Sequence, residues 1–237
     1  MEFRRHRLAR SLTLKARLIV RILLVVPLLS AVVFLPAGSL KFWEGWVYVL
    51  GFLVFSLFFG FYFYRHDRGL LERRLLVRER EHGQKNFKML WTPLWICVLV
   101  LPGLDYRFGW SRRLAGAAPL WLIVLSQALS LGAQFLMAAV FRFNSFASSV
   151  IQVESGQQVV STGPYRIVRH PMYSAILVMI VFTPLALGSY VALPVALLLV
   201  PVLVLRLVNE EKFLRRELPG YAEYCLRTRF RLVPLVF

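Results

Sequence analysis

The chain has 237 residues, is 58% hydrophobic and carries a formal net charge of +17. A soluble domain holds roughly 45–50% apolar residues, so this composition and a mean hydropathy of +0.63 exclude that class. Two cysteines, Cys97 and Cys225, make neither a disulfide framework nor a metal pattern and read as structural residues.

In chain order, the tail MEFRRHRLARSLTLKAR resembles a signal n-region. The run behind it is too long, and no small-residue cleavage site precedes the next span, so it reads as a retained cytosolic arm. Apolar runs follow at about 19–40, broken by Pro27 and Pro36, and at about 43–64. The stretch YRHDRGLLERRLLVRERE places Leu70, Leu71, Leu75 and Leu76 at helical spacing among charges, as in an amphipathic helix on the cytosolic surface. His66 and His82 beside it find no third metal ligand. A run at about 90–104 is short for a span, and one at about 117–141 is long enough. Runs at about 172–187 and 190–205, joined by Leu187-Gly188-Ser189-Tyr190, form a short helical hairpin that need not cross fully. Trp43, Trp46, Trp91, Trp95, Trp110 and Trp121 lie near span ends as interfacial anchors. The expectation is an all-α integral membrane bundle of about five to six transmembrane helices.

Of the 29 Lys and Arg residues, 25 fall in the N-terminal tail, the second and fourth connections and the C-terminal tail; only Lys41, Arg107, Arg112 and Arg113 fall elsewhere. This asymmetry predicts that both termini are cytosolic. It also assigns the basic charge to topology and anionic headgroups rather than nucleic acid.

The chemistry lies on either side of the hairpin. Before it, NSFASSVIQVESGQQVVSTGPYRIVRHPMY is a cytosolic loop of about 30 residues, a length that is usually functional. After it comes RLVNEEKFLRRELPGYAEYCLRTRFRLVP, where Arg206 and Glu210 share a helix face while Glu210 and Glu211 point differently. The hairpin returns both segments to one membrane surface, so Tyr165, Arg169, His170 and Tyr173 can meet Arg206 and Glu210. Taken singly, each has a plain use: Arg166 and Arg169 as anchors, His170-Pro171 as a helix start, the tyrosines as belt residues, and the glutamates as a solvated face. Taken in order, Gly-x-Tyr, Arg-His-Pro-x-Tyr, a hairpin, Arg-x-x-x-Glu-Glu and Tyr-x-x-Tyr form a specific combination.

That combination, carried by VVSTGPYRIVRHPMY, RLVNEE and ELPGYAEY, resembles the isoprenylcysteine carboxyl methyltransferase family of integral-membrane methyltransferases, related to the phospholipid N-methyltransferases. The resemblance is strongest over 142–237. The apolar runs give four transmembrane helices and the arm in 1–141; the resemblance implies a cofactor-binding core in 142–237 with the hairpin and a cytosolic C-terminal helix. It implies S-adenosylmethionine in a cytosol-facing pocket open to lipid, touched by Gln152, Gln157, Gln158, Val159, Val160, Tyr165, His170, Pro171, Met172, Tyr173 and Glu210. Arg206 would face the methyl acceptor.

The residue types suit this chemistry. Tyrosine faces attract a sulfonium, Arg169 or His170 can meet a carboxylate, and Glu210 can bind amino or ribose groups. A carboxylate acceptor needs no strong base, and Arg206 can orient it. An amine acceptor needs one, and Glu211 is the nearest candidate. The expected acceptor is lipid-like or amphiphilic, methylated on a carboxylate at the cytosolic face. The rivals are a phospholipid or amine N-methyltransferase, an NADPH-dependent membrane reductase, for which Met172 before Tyr173 is the wrong residue, and a non-enzymatic scaffold.

Overall fold

The computed structural model describes residues 2–75, 83–145, 158–234 and 236. Ten helices are seen among them: α1 (Glu2–Ala37), α2 (Trp43–His66), α3 (Arg68–Leu75), α4 (Gly83–Phe108), α5 (Trp110–Ala115), α6 (Leu120–Phe143), α7 (Pro171–Ala186), α8 (Ala192–Leu197), α9 (Leu199–Glu217) and α10 (Tyr221–Arg227). Among the described residues, five segments are long and apolar enough to cross a membrane: Leu14–Ala37, Trp43–His66, Phe87–Phe108, Leu120–Phe143 and Ala192–Glu217. The protein is a multi-pass membrane bundle of the expected class.

Two expectations change. The third run is not short, because α4 extends it at both ends to a 22-residue span. Trp91 and Trp95 therefore lie within that span, where their rings stack 6.0 Å apart. Similarly, the run at 190–205 continues through α8 and α9 as one 26-residue segment. The other arm of the hairpin, α7, has 16 residues, which rise about 24 Å against a hydrocarbon core of about 30 Å.

Close packing explains the bundle's inner order. A Cβ on Gly103 of α4 would sit 2.7 Å from the carbonyl oxygen of Val33 on α1, so only glycine permits that approach. Leu70 and Leu71 of α3 are buried with Leu14, Phe63, Ala138 and Phe141. The amphipathic helix thus packs onto the bundle itself; Leu76 and His82 lie outside the described residues.

One end of the bundle is clasped by Asp105. Its carboxylate accepts hydrogen bonds from the backbone N–H and hydroxyl of Ser111 and, at 2.5 Å, from the hydroxyl of Ser189. The Ser111 hydroxyl in turn accepts the backbone N–H groups of Tyr190 and Val191. Asp105 is 4% exposed, so these donors offset what would otherwise be a costly buried charge. The clasp fixes the α7–α8 turn against the end of α4, and so directs α7 and α9 back to the opposite end.

Candidate functional site

At that opposite end, α7 begins at Pro171. Proline suits the first helical position, where its missing N–H would have no intrahelical partner. His170 and Arg169 immediately precede it and are held by the chain beyond α10. The N–H groups of Arg169 and His170 donate to the carbonyls of Phe230 and Arg231 at 2.9 and 3.0 Å. The Ser174 hydroxyl donates to the carbonyl of Leu232 at 2.6 Å. Residues 229–232 thus form a strap along the entry to α7.

Glu211 of α9 is the centre of a buried charge cluster. Its Oε1 accepts Arg169 Nη1 at 2.7 Å and its Oε2 accepts Arg231 Nε at 3.0 Å. The second Arg169 amino group donates to the carbonyl of Arg229 at 2.8 Å. Arg169 and Glu211 side chains are 8% and 4% exposed, and removing one partner from so buried a set costs about 3–5 kcal/mol. His170 Nε2 lies 3.4 Å from both Glu211 Oε1 and the Tyr221 hydroxyl.

Glu210 faces a different group. The Tyr173 hydroxyl donates to Glu210 Oε2 and accepts Arg206 Nε at 2.9 Å. One phenol therefore links a carboxylate and a guanidinium that lie one helical turn apart on α9. The Arg206 guanidinium stands 4.3 Å over the ring of Phe87 on α4, a cation–π contact that suits a charge at a membrane boundary. The Tyr173 and His170 rings lie nearly parallel at 5.6 Å.

A third layer comes from the tight turn Gly163–Arg166. Gly163 has φ +58°, and a Cβ there would sit 2.6 Å from the Phe143 ring. The Tyr165 hydroxyl accepts Asn144 Nδ2 at 3.1 Å, and its carbonyl accepts the Tyr224 hydroxyl at 2.7 Å. Burial pushes the Tyr165 and Tyr224 phenols up to about 12, and the Tyr221 phenol also upward. At physiological pH all three are neutral hydrogen-bonding groups.

The structure brings Tyr165, Arg169, His170, Pro171, Tyr173, Arg206, Glu210 and Glu211 to one end of the bundle. Met172 is partly buried and packs against the two apolar clusters that include Phe63 and Leu203. Val159 packs against Tyr221 and Tyr224; Val160 is half-buried and Gln158 exposed. Gln152 and Gln157 lie outside the described residues. Sequence reasoning missed Arg231, Phe87 and Asn144. Asn144 alone offered a signal, as the polar residue that ends a long apolar run.

Arg169 Nε is buried with no hydrogen-bond partner among the described residues. The Arg169 guanidinium, the neutral phenols and the Glu210 carboxylate together have the donor and acceptor chemistry that a ligand carrying a carboxylate, an amino group and a hydroxylated sugar would need. Residues 122–216 match the model of the Isoprenylcysteine carboxyl methyltransferase (ICMT) family, a segment running from α6 through α9. No curated protein matches the chain.

Proposed function

We propose that this chain, a membrane protein whose residues 122–216 match the model of the isoprenylcysteine carboxyl methyltransferase family, uses S-adenosylmethionine to methylate the carboxylate of an amphiphilic acceptor at the cytosolic membrane face. The cofactor supplies an electrophilic methyl group on a sulfonium. Residues 142–237 would form the core, with Arg169, His170, Tyr165 and Glu210 holding the cofactor and Gln152 and Gln157 to Val160 also contacting it.

The observation that carries this reading is the shared Tyr173 hydroxyl. It ties Glu210, on the cofactor side, to Arg206, on the acceptor side. Methyl transfer is an in-line displacement, so fixing the two partners relative to each other supplies much of the rate. Arg206 orients the acceptor carboxylate, and its contact with Phe87 sets it where α4 meets the bilayer surface.

Glu211 favours a carboxylate over an amine acceptor. Both of its oxygens are already engaged by guanidinium groups, so its role is to anchor Arg169 and the strap rather than to accept a proton. A carboxylate acceptor is ionised at neutral pH and asks for no base.

The test is calorimetric titration of the detergent-purified protein with S-adenosylmethionine and with NADPH, followed by transfer of labelled methyl to extracted membrane lipids. The expected result is binding of the first ligand only and a base-labile labelled ester in the lipid phase. Arg206→Ala should retain cofactor binding and lose transfer. Binding of NADPH alone, or equal methylation of water-soluble acids without a lipid-phase product, would overturn the reading.

A further inference from the structure

Where α1, α2 and α3 meet, three cations gather around two aromatic rings. Lys15 of α1 and Arg68 of α3 both lie over the ring of Tyr64, near the end of α2, with the Lys15 Nζ 5.2 Å and the Arg68 guanidinium carbon 4.5 Å from its centre. Arg65 folds back one turn and sets its guanidinium 4.8 Å over Phe61. Arg68 Nε also donates to the carbonyl of Tyr64 at 3.1 Å. Leu14, Phe63, Leu70 and Leu71 are buried together beneath, so all three helices hold this corner in place. Met172, at the start of α7, packs against the same cluster, which puts the corner at the candidate site's end of the bundle. The two share no charged residue.

Charge and depth together define what this corner can meet. Lys15, Arg65 and Arg68 are exposed, and none of them forms an ion pair with a carboxylate among the described residues. Asp67, between the two arginines, instead accepts the backbone N–H of Leu70 at 2.9 Å and caps α3. The far end of α2 carries the exposed Trp43 and Trp46. Tyr64 stands about 27 Å of helical rise beyond Trp46, close to the hydrocarbon thickness of about 30 Å. The three cations therefore lie at the headgroup boundary. Leu57, Phe61 and Arg65 are spaced by four and share one face of α2, and the first two are exposed at greater depth.

We propose that this corner binds an anionic phospholipid of the phosphatidylglycerol type, with its phosphate among Lys15, Arg65 and Arg68 and an acyl chain along Phe61 and Leu57. The phosphate follows from the donors: a guanidinium stacked on a ring by its face still presents its N–H edge, and that edge matches a phosphate. The net negative charge follows from three cations with no carboxylate to balance them, since a phosphatidylcholine would bring a further cation into the same place. The lipid, rather than a soluble phosphate, follows from the exposed apolar face directly below Arg65. The ring of Tyr64 is what turns separate charges into a site, because it gathers one cation from α1 and one from α3.

The test titrates the full chain in detergent with dioleoyl phosphatidylglycerol or dioleoyl phosphatidylcholine and counts bound lipid by native mass spectrometry. Phosphatidylglycerol should bind about tenfold more tightly, and Lys15→Gln, Arg65→Gln or Arg68→Gln should each weaken it about fivefold. Arg215→Gln and Arg227→Gln, which remove exposed charges elsewhere at this end, should leave it unchanged. Tyr64→Leu keeps every charge but removes the ring, and should weaken phosphatidylglycerol by about two- to fivefold. Inorganic phosphate in large excess should not displace the lipid. Unfolding temperatures confirm that each variant is folded. Equal binding of the two lipids, equal losses in the Arg215 and Arg227 variants, or an unchanged Tyr64→Leu would overturn the proposal in favour of diffuse charge attraction. Displacement by inorganic phosphate would overturn it in favour of a soluble anion.

Discussion

At the scale of single residues, the Tyr173 hydroxyl is the point on which the proposed chemistry turns. It is 2% exposed and bridges Arg206 and Glu210. Replacing it with phenylalanine keeps the ring beside His170 and the apolar packing with Leu203 and Leu207. What disappears is the link between two charged groups. Tyr173→Phe should therefore fold normally and bind cofactor within a few-fold of wild type, while transfer falls by about 10- to 100-fold. A loss of about 1.5–3 kcal/mol, typical of hydrogen bonds to charged groups, corresponds to this range. Single-turnover transfer alongside calorimetric cofactor titration separates the two effects. Equal losses in both would make the hydroxyl a cofactor ligand instead.

Among the elements, α9 and the Gly163–Arg166 turn set the geometry. The helix presents Arg206, Glu210 and Glu211 over little more than one turn, and the turn delivers Tyr165 against Asn144 and Tyr224. Gly163→Ala forces a side chain into left-handed backbone, at about 1–2 kcal/mol, and drives its Cβ into Phe143. The expected outcome is a lower unfolding temperature and weaker cofactor binding. Adding Phe143→Ala should relieve the clash but not the backbone strain, so recovery should be partial; full recovery would show that φ at this position is not limiting.

How far these elements were legible in the sequence depended on the kind of signal each carried. Arg206 and Glu210 were readable because a helix puts residues four apart on one face, and the hairpin fixed which segment they would meet. Arg231 was not, since it sits in a basic tail whose charges already satisfy a topological rule. Its role emerges only from pairing with Glu211, 20 residues away. The ends of α4 were hidden for a related reason. Lys85, Lys88, Asp105 and Arg107 interrupt the hydropathy, yet the helix continues through Asp105, whose carboxylate is hydrogen-bonded by donors from α5 and the hairpin turn.

For the whole molecule, the question is sidedness. The α1–α2 turn lies beside Arg107, since a Cβ on Gly38 would sit 3.6 Å from that side chain. The Asp105 clasp brings the hairpin turn to the same end. This end carries the four exceptional basic residues, and the candidate site occupies the other. We expect a cysteine introduced at Ser39, with Cys97 and Cys225 replaced by alanine, to react with a membrane-impermeant maleimide only from the non-cytosolic side of sealed vesicles. Reaction only from the cytosolic side would reverse the orientation.

The strap of residues 229–232 also bears on biogenesis. These residues leave the ribosome after the five candidate spans of the described residues, yet their carbonyls fix Arg169 and His170 at the entry to α7. Insertion of the bundle and assembly of the site are therefore successive events. A nascent chain that has not yet released Arg231 can already hold the earlier helices while Glu211 lacks one of its two guanidinium partners.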